Sequence, residues 1–435
     1  MPDLYLLYAA PDGTIGTAHD LRPIAYDGQL LGAEDLIPLP EGTTLAMMPG
    51  RLAAGINALG KRVTLPATKG WAISAFLPIG YMRTHIPGYD LAPPELVPDG
   101  AETLPFFGYT ALVGMDDAVY VAAVQTDDPT RWHPDNYDHD QLARRVRRRL
   151  RAMPDNRVLQ QHAHCALDYH CPTASNLFFD RWEGAVAVAG GCNARCIGCI
   201  SKQEEDGLIS PQDRLTFVPT VDEITAVSVA HLNHSPEAIL SFGQGCEGEP
   251  LLQWRVIAKA IARVRAETAS GTININSNAS NPNAIAALCK AGLDSLRAST
   301  ISAIPATYAA YYRPIGYTME HVKQSLIVAR EHGAYTSINL LFFPGLADAE
   351  DEAAAWVDFL RTTGTRLVQL RNLNIDPELL LPKLPPRGKP LGVRNFIDLL
   401  HRELPDLRIG NFSVPLSRRE DGVREPSMPA LRLTV

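Results

Sequence analysis

The sequence predicts an α/β protein: a partial (β/α)6 barrel preceded by a small β-rich N-terminal domain. Three observations predict it. From Gly184 onward, short apolar runs alternate six times with segments of helical period, the pattern of a parallel sheet covered by helices. Up to about residue 125 the chain reads instead as short strands and turns. The residues of most chemical interest fall where the later apolar runs end, the edge at which parallel sheets carry their sites.

The bulk numbers bound the rest. At 435 residues, two or three folding units are expected. Hydrophobic residues at 46% and charged residues at 20% give an ordinary globular balance. A net charge of −8 excludes a surface that attracts nucleic acid or anionic membrane as a whole, though not a local basic patch. The start, MPDLYLLYAAPDG, has Asp3 and no positively charged lead, which argues against a secretory signal. Nowhere do eighteen apolar residues run together, so no membrane span is expected. Five of the seven cysteines lie between 165 and 199, which suggests metal ligation in a reducing cytoplasm rather than cross-links.

In chain order, residues 1–139 form the β-rich unit. Leu4–Ala9 is an apolar run closed by Pro11, Asp12 and Gly13, and 109–124 read as a hairpin turning at Asp116 and Asp117. No dinucleotide fingerprint or phosphate loop occurs there, and its role is not legible. Residues 140–183 form a connector. It opens with a helix over 140–152 that carries six arginines and is ended by Pro154. That helix reads as a solvated link, or as a docking face for RNA, an acidic peptide or a phosphorylated ligand. Residues 184–375 form the barrel, with strands at 185–188, 238–242, 272–276, 295–299, 336–343 and 367–373. Helices are expected near 222–232, 252–266, 282–291, 318–332 and 349–361. A last helix near 393–402 belongs to the extension at 376–435.

The segment GGCNARCIGCIS follows the first barrel strand and spaces Cys192, Cys196 and Cys199 as Cys-x3-Cys-x2-Cys. Thiolates suit zinc or iron–sulfur centres. Three in one loop can hold three irons of a cubane and leave the fourth iron open. A structural zinc site wants a fourth protein ligand, often from a second pair, and none follows at the proper spacing. The rival from another class is a non-catalytic iron–sulfur protein for electron transfer or redox sensing, with four protein ligands.

Four further motifs follow in order: SFGQGCEGEPLL, ININSNAS, AGLDSLRASTISA and FFPGLAD. With the cysteine loop they make residues 184–375 resemble the radical S-adenosylmethionine (radical SAM) superfamily, in the motif style of its molybdopterin-biosynthesis group. The resemblance implies a [4Fe–4S] cluster on Cys192, Cys196 and Cys199, with S-adenosylmethionine chelating the open iron. It implies reductive cleavage to a 5′-deoxyadenosyl radical, hydrogen abstraction from an unidentified substrate, and a flavodoxin- or ferredoxin-type reductant. Gly248, Glu249 and Pro250 match a Gly-Gly-Glu-Pro-like motif that meets the cofactor's amino group, with Glu247 where many members have glycine. Asn276, Ser277 and Asn278 are similar to the turn near the cofactor ribose, with Ala279 in place of the usual glycine. Arg297 and Ser299 share a strand face, and the resemblance gives them the cofactor carboxylate. Pro344 and Gly345 fall to the adenine side.

Other features are particular to this chain. In QHAHCALDYHC, Cys165 and Cys171 are candidate ligands of a second metal site, with His162, His164, Asp168 and His170 beside them and Cys246 to complete it. The competing reading is cysteines that are simply buried. Cys246 lies in the cofactor turn and is expected to face the open end of the barrel, as a candidate catalytic hydrogen-atom donor, a cluster ligand, or a small residue filling space. The sixth strand, VQLRNLNID, is unusually polar. Gln369, Arg371 and Asn374 are candidates for substrate recognition, with Arg371 a candidate catalytic residue, against internal hydrogen bonding. The segment YAAYYRPIGY reads as a loop that brings Tyr312 and Arg313 to the same mouth. The substrate class stays open among small molecule, peptide and RNA.

Overall fold

The computed structural model describes residues 3–202 and 208–419, so residues 420–435 of the expected extension lie outside the described residues. The N-terminal strands are β1 Leu4–Ala9, β2 Ile15–Ala18, β3 Leu21–Pro23, β4 Leu36–Pro38, β5 Thr44–Met48, β6 Arg51–Asn57, β7 Arg62–Thr64, β8 Trp71–Phe76, β9 Tyr81–Arg83, β10 Tyr89–Leu91, β11 Thr110–Met115 and β12 Ala118–Gln125. Eight of them make an antiparallel sheet whose main path runs β2-β1-β8-β11-β12-β4, and β10-β6-β3 with β7 make a smaller one. The expected hairpin is β11–β12: Met115 pairs with Ala118, and Asp116 and Asp117 both take positive φ. Two left-handed residues give the turn whose twist suits a two-residue hairpin.

Three helices form the connector: α1 His139–Ala152, α2 Arg157–Leu167 and α3 Pro172–Phe179. The barrel then alternates strand and helix: β13 Glu183–Val186, α4 Val221–His234, β14 Ile239–Phe242, α5 Trp254–Glu267, β15 Thr272–Ser277, α6 Pro282–Ala291, β16 Ser295–Thr300, α7 Pro305–Tyr312, α8 Met319–Glu331, β17 Tyr335–Phe342, α9 Glu350–Thr363 and β18 Leu367–Asn372. Short α10 Pro377–Leu380, then α11 Val393–Glu403 and β19 Arg408–Gly410 complete the described chain. All pairings from β13 to β19 are parallel and sequential. α4, α5, α6, α8, α9 and α11 pack in that order as one outer layer. Strands covered by such a layer are buried and read as apolar runs, which is why six of them are visible in the sequence. The seventh, β19, is three residues long and was not expected.

Local chemistry sets the ends. Thr220 and Glu223 close a capping box at the start of α4. Asn281 caps α6, Pro282 stands at its first turn, and Gly292 ends it with φ +111°. β13 begins two residues before the expected strand, and the backbone N–H groups of Val188 and Ala189 leave the ladder for the carboxylate of Glu247.

The N-terminal unit docks on the side of the barrel at β18. Asn372 accepts from the Arg83 backbone N–H at 3.0 Å and donates to the Tyr81 carbonyl at 3.0 Å. Arg83, fully buried, also donates to the Leu373 carbonyl and to Asn374. Arg51 and Asp376, 2% and 1% exposed, make a buried ion pair at 2.5 Å. The expected loop at YAAYYRPIGY is mostly helix α7 and the turn after it. Among the described residues, no helix is long and apolar enough to cross a membrane.

Candidate active site

The cysteine loop leaves β13 and is clasped on two sides. On one side the backbone N–H groups of Arg195 and Ile197 donate to the carbonyls of Tyr312 and Tyr311, the last residues of α7, and the Ile315 N–H donates to the Asn193 carbonyl. Tyr312 and Arg313 thus both hold the cysteine loop, the first through its carbonyl and the second by donating from Nε to the Arg195 carbonyl. Gly198 fits here because a Cβ would lie 2.7 Å from the Tyr311 hydroxyl. On the other side the 247–250 turn is stitched to the glycines before Cys192: Gly248 N–H to the Ala189 carbonyl at 2.6 Å and Glu249 N–H to the Gly191 carbonyl at 2.8 Å. A Cβ on Gly248 would lie 1.9 Å from the Gly191 oxygen, so only glycine allows this approach.

Three thiol donors on one short loop fit the three irons of a cubane that leaves its fourth iron open. Their environments differ. Burial, then the neighbouring thiols, pushes Cys196 well up. At Cys199 burial also pushes upward, but hydrogen bonds from Ser201 and the Arg214 guanidinium outweigh it and the thiol is lowered. Arg214 donates to the Cys199 sulfur at 3.3 Å and to Ser201 at 3.0 Å. No sequence pattern points to this arginine, which sits in an irregular segment.

The candidate cofactor residues converge on the same edge of the sheet, held by each other. The Glu249 carboxylate, buried, accepts from Ser277 Oγ at 2.6 Å, Leu251 N–H at 2.9 Å and Asn278 N–H at 2.8 Å. It is thus a strut between the ends of β14 and β15. Asn278 donates to Asn193 of the cysteine loop at 2.7 Å. Ala279 adopts φ +54°, the conformation that the usual glycine would take without strain. Gly345 has φ +77°, with its N–H on Asp348 and its carbonyl accepting from Arg387.

A cavity of about 270 Å³ opens beside these residues, with Asn276, Arg297, Ser299, Asn339 and Arg371 in its wall. The polar strand β18 resolves into three fates. Gln369 accepts from Arg297 at 2.9 Å. Asn374 meets Arg83 of the N-terminal unit. Arg371 lines the cavity, its guanidinium pushed down to about 10 by burial and by nearby Arg297. Internal hydrogen bonding accounts for the first two, and only Arg371 of the three reaches the cavity. A second cavity of about 370 Å³ lies at the outer side of the cysteine loop, between Asn193, Ser280, Tyr317 and His321.

Cys246 is placed otherwise than expected. It is buried and is not part of the wall of the 270 Å³ cavity, which the preceding Gly243, Gln244 and Gly245 supply. It gathers with Cys165 and His162, all buried, with ligand atoms within 4.8 Å of one another. Cys171 stands outside this trio, at the start of α3. The neighbouring Cys246 holds the Cys165 thiol down, and Cys165 together with burial pushes the Cys246 thiol up. His162 Nε2 accepts from the Ala187 N–H at 3.1 Å, and burial drives the ring down to about 4. A neutral ring accepting at Nε2 carries its proton on Nδ1. In that tautomer neither nitrogen has a lone pair free for a metal, so the trio fits a dithiol better than an ion site. His164 pairs with Asp168 on the surface.

Residues 186–357, less than half of the 435-residue chain, match the sequence model of the Radical SAM superfamily. No curated protein matches the chain in sequence. Among solved structures, the chain is similar to a radical SAM methyltransferase from Sphaerobacter thermophilus, at 17% identity over 52% of this chain and 65% of that one, TM-score 0.37. It is similar to the [FeFe]-hydrogenase maturase HydG at 13% identity over 63% of each chain, TM-score 0.38. It is similar to Streptococcus suis SuiB, solved with S-adenosylmethionine bound, at 12% identity over 59% of this chain and 54% of that one, TM-score 0.38. The chain spans less than two thirds of the length of each of these.

Proposed function

Residues 186–357 belong to the radical SAM superfamily, and from that premise we propose that the protein is an enzyme that cleaves S-adenosylmethionine reductively and abstracts hydrogen from a substrate. The observation that carries this reading is the cysteine loop with its three thiol donors, bound on one side by α7 and on the other by the Gly248–Pro250 turn. Cys192, Cys196 and Cys199 would hold a [4Fe–4S] cluster. Such a cluster would supply the electron for reductive cleavage of the cofactor's sulfonium.

The chain's own residues do the rest. The Tyr311 and Tyr312 carbonyls fix the loop, and Arg214 steadies the Cys199 sulfur. Gly248 brings backbone close to the loop, while Glu249 ties Ser277 and Asn278 to the same rim. Arg297 and Ser299 offer polar groups to the cofactor from the adjoining strand. The N-terminal unit packs on the end of β18, where it would help to keep water from the interior, as a radical reaction needs. All seven cysteines are free, which suits a reducing cytoplasm, and an external flavodoxin- or ferredoxin-type donor would supply electrons.

The test is anaerobic. Protein reconstituted with iron and sulfide receives dithionite and S-adenosylmethionine, and 5′-deoxyadenosine is followed by mass spectrometry beside the Cys196→Ala protein. Product that is absent from the variant is expected. A brown protein with four protein ligands on its cluster, and no affinity for S-adenosylmethionine, would instead be the electron-transfer or redox-sensing alternative.

A further inference from the structure

The 270 Å³ cavity carries more charge information than the function above uses. Its ionisable wall residues are Glu183, Arg297 and Arg371, one net positive charge. Arg297 and Glu183 already face each other, 3.9 Å apart and almost fully buried, and Arg297 also donates to Gln369 and Ser413. Arg371 is different. Its guanidinium makes no hydrogen bond to any described residue, and it feels Glu183 and, more weakly, Asp127 only through space. A guanidinium stays charged in a protein and carries five donors in a planar fork. Arg371 is half-buried and its fork lines the cavity, where a ligand can bring the acceptor it lacks.

Three atoms of other wall residues are buried without a partner: Arg297 Nε, Asn276 Nδ2 and Asn339 Oδ1. Unpartnered buried polar atoms are uncommon, and several converging on one cavity mark a place built for a polar ligand. The same wall also includes Trp132, Ile79 and Pro172, so the ligand has an apolar part. Residues expected to meet the cofactor share only part of this wall. Arg371, Asn339 and Trp132 lie beyond them.

We infer that Arg371 receives the carboxylate of a small substrate with an apolar body, bound in this cavity next to S-adenosylmethionine, an inference that rests on the function proposed above. A monoanion matches one net positive wall charge. A phosphate dianion would leave excess negative charge in a buried site beside Glu183.

The test uses the anaerobic reconstituted protein saturated with S-adenosylmethionine, titrated calorimetrically with benzoate, hexanoate, benzamide and inorganic phosphate. Benzoate or hexanoate should bind, benzamide should bind at least about ten-fold more weakly, and phosphate should not compete. Arg371→Gln should lose carboxylate binding by at least about ten-fold, with the affinity for S-adenosylmethionine unchanged, and Arg371→Lys should recover part of it. Benzamide equal to benzoate, preference for phosphate, failure of both carboxylates, or loss of S-adenosylmethionine binding in Arg371→Gln would each overturn the inference. The same preparations are assayed for 5′-deoxyadenosine. Loss of cofactor cleavage in the unmodified protein would sink the function itself, independently of the carboxylate result.

Discussion

Glu247 accepts the backbone N–H of Gly243 at 2.6 Å, so the residue standing where relatives of this motif style have glycine is a brace across the turn after β14. Its other oxygen takes the N–H groups of Val188 and Ala189 at 2.8 and 3.0 Å, on the stretch that leads into Cys192. One carboxylate thus satisfies three backbone donors where β13 and β14 part. Glu247→Gly leaves those donors without an acceptor, at about 1–3 kcal/mol for each that stays buried. With some relaxation, a net loss of about 2–5 kcal/mol is expected in chemical unfolding, together with a fall in iron bound per chain after reconstitution. Unchanged stability and full iron content would show that water or a new backbone pairing replaces the brace.

Arg214 places a positive charge and a hydrogen bond on the Cys199 sulfur. Hydrogen bonds and net charge near cluster sulfurs help set a cluster's reduction potential. Reduction adds negative charge, which a neighbouring guanidinium stabilises. Arg214→Met should therefore lower the midpoint potential, on the order of tens of millivolts. An anaerobic redox titration followed by electron paramagnetic resonance reads the shift. A potential that rises, or does not move, would mean that Arg214 turns away from the sulfur once iron is bound.

How much of this was legible in the sequence follows from burial. The six longer barrel strands are covered by helices, so their apolar runs stand out, and the motifs at their ends carry spacing that few other folds reproduce. β19 shows no such run: Arg408, Ile409 and Gly410 make a three-residue edge pairing that leaves no pattern. α7 was hidden because its Tyr-Ala-Ala-Tyr-Tyr run has no polar face. Its inner side is Tyr308, Tyr311 and Tyr312, and the residues it shows to solvent include Ala306 and Ala309, which read as apolar. Cys246 misled because its position in the cofactor turn is clear from sequence, while its side-chain direction is not. One turn presents Gln244 and Gly245 to the cavity and Cys246 to α2. The partners of Gln369 and Asn374, by contrast, come from Arg297 and Arg83, at distances along the chain that no local pattern can show.

The ion pair of Arg51 with Asp376 joins the N-terminal sheet to the segment after β18, and Asp376 also accepts the Leu104 N–H at 2.7 Å. Burial raises the Asp376 carboxyl, with that N–H and Arg51 opposing it. Removing one partner strands the other charge. Arg51→Met should cost about 3–5 kcal/mol, and Asp376→Leu a similar amount. The double variant should cost clearly less than the sum, because no lone charge remains. Additive losses in urea unfolding would show that the two residues act separately.

Arg157 and Glu223 tie the connector helix α2 to the barrel helix α4, with Arg157 Nε to Glu223 Oε1 at 2.7 Å and Nη2 to Oε2 at 2.8 Å. The Arg157 guanidinium holds Glu223 down to about 2, with burial opposing and the N–H groups of Thr220 and Arg157 helping. A carboxyl lowered in the folded state adds stability that is complete above its ordinary value near 4.5 and is lost as the pH falls toward 2. Arg157 is well exposed, so solvent screens the pair, and only a small contribution at neutral pH is expected. Glu223→Gln should be slightly less stable than the unmodified protein at neutral pH. The gap should narrow steadily below about pH 4.5, as protonation removes from the unmodified protein the charge that the variant already lacks. Urea unfolding of both proteins across this range measures it. A gap that is constant with pH would assign the loss to the capping box with Thr220 rather than to the ion pair, since a neutral acceptor's hydrogen bonds do not titrate.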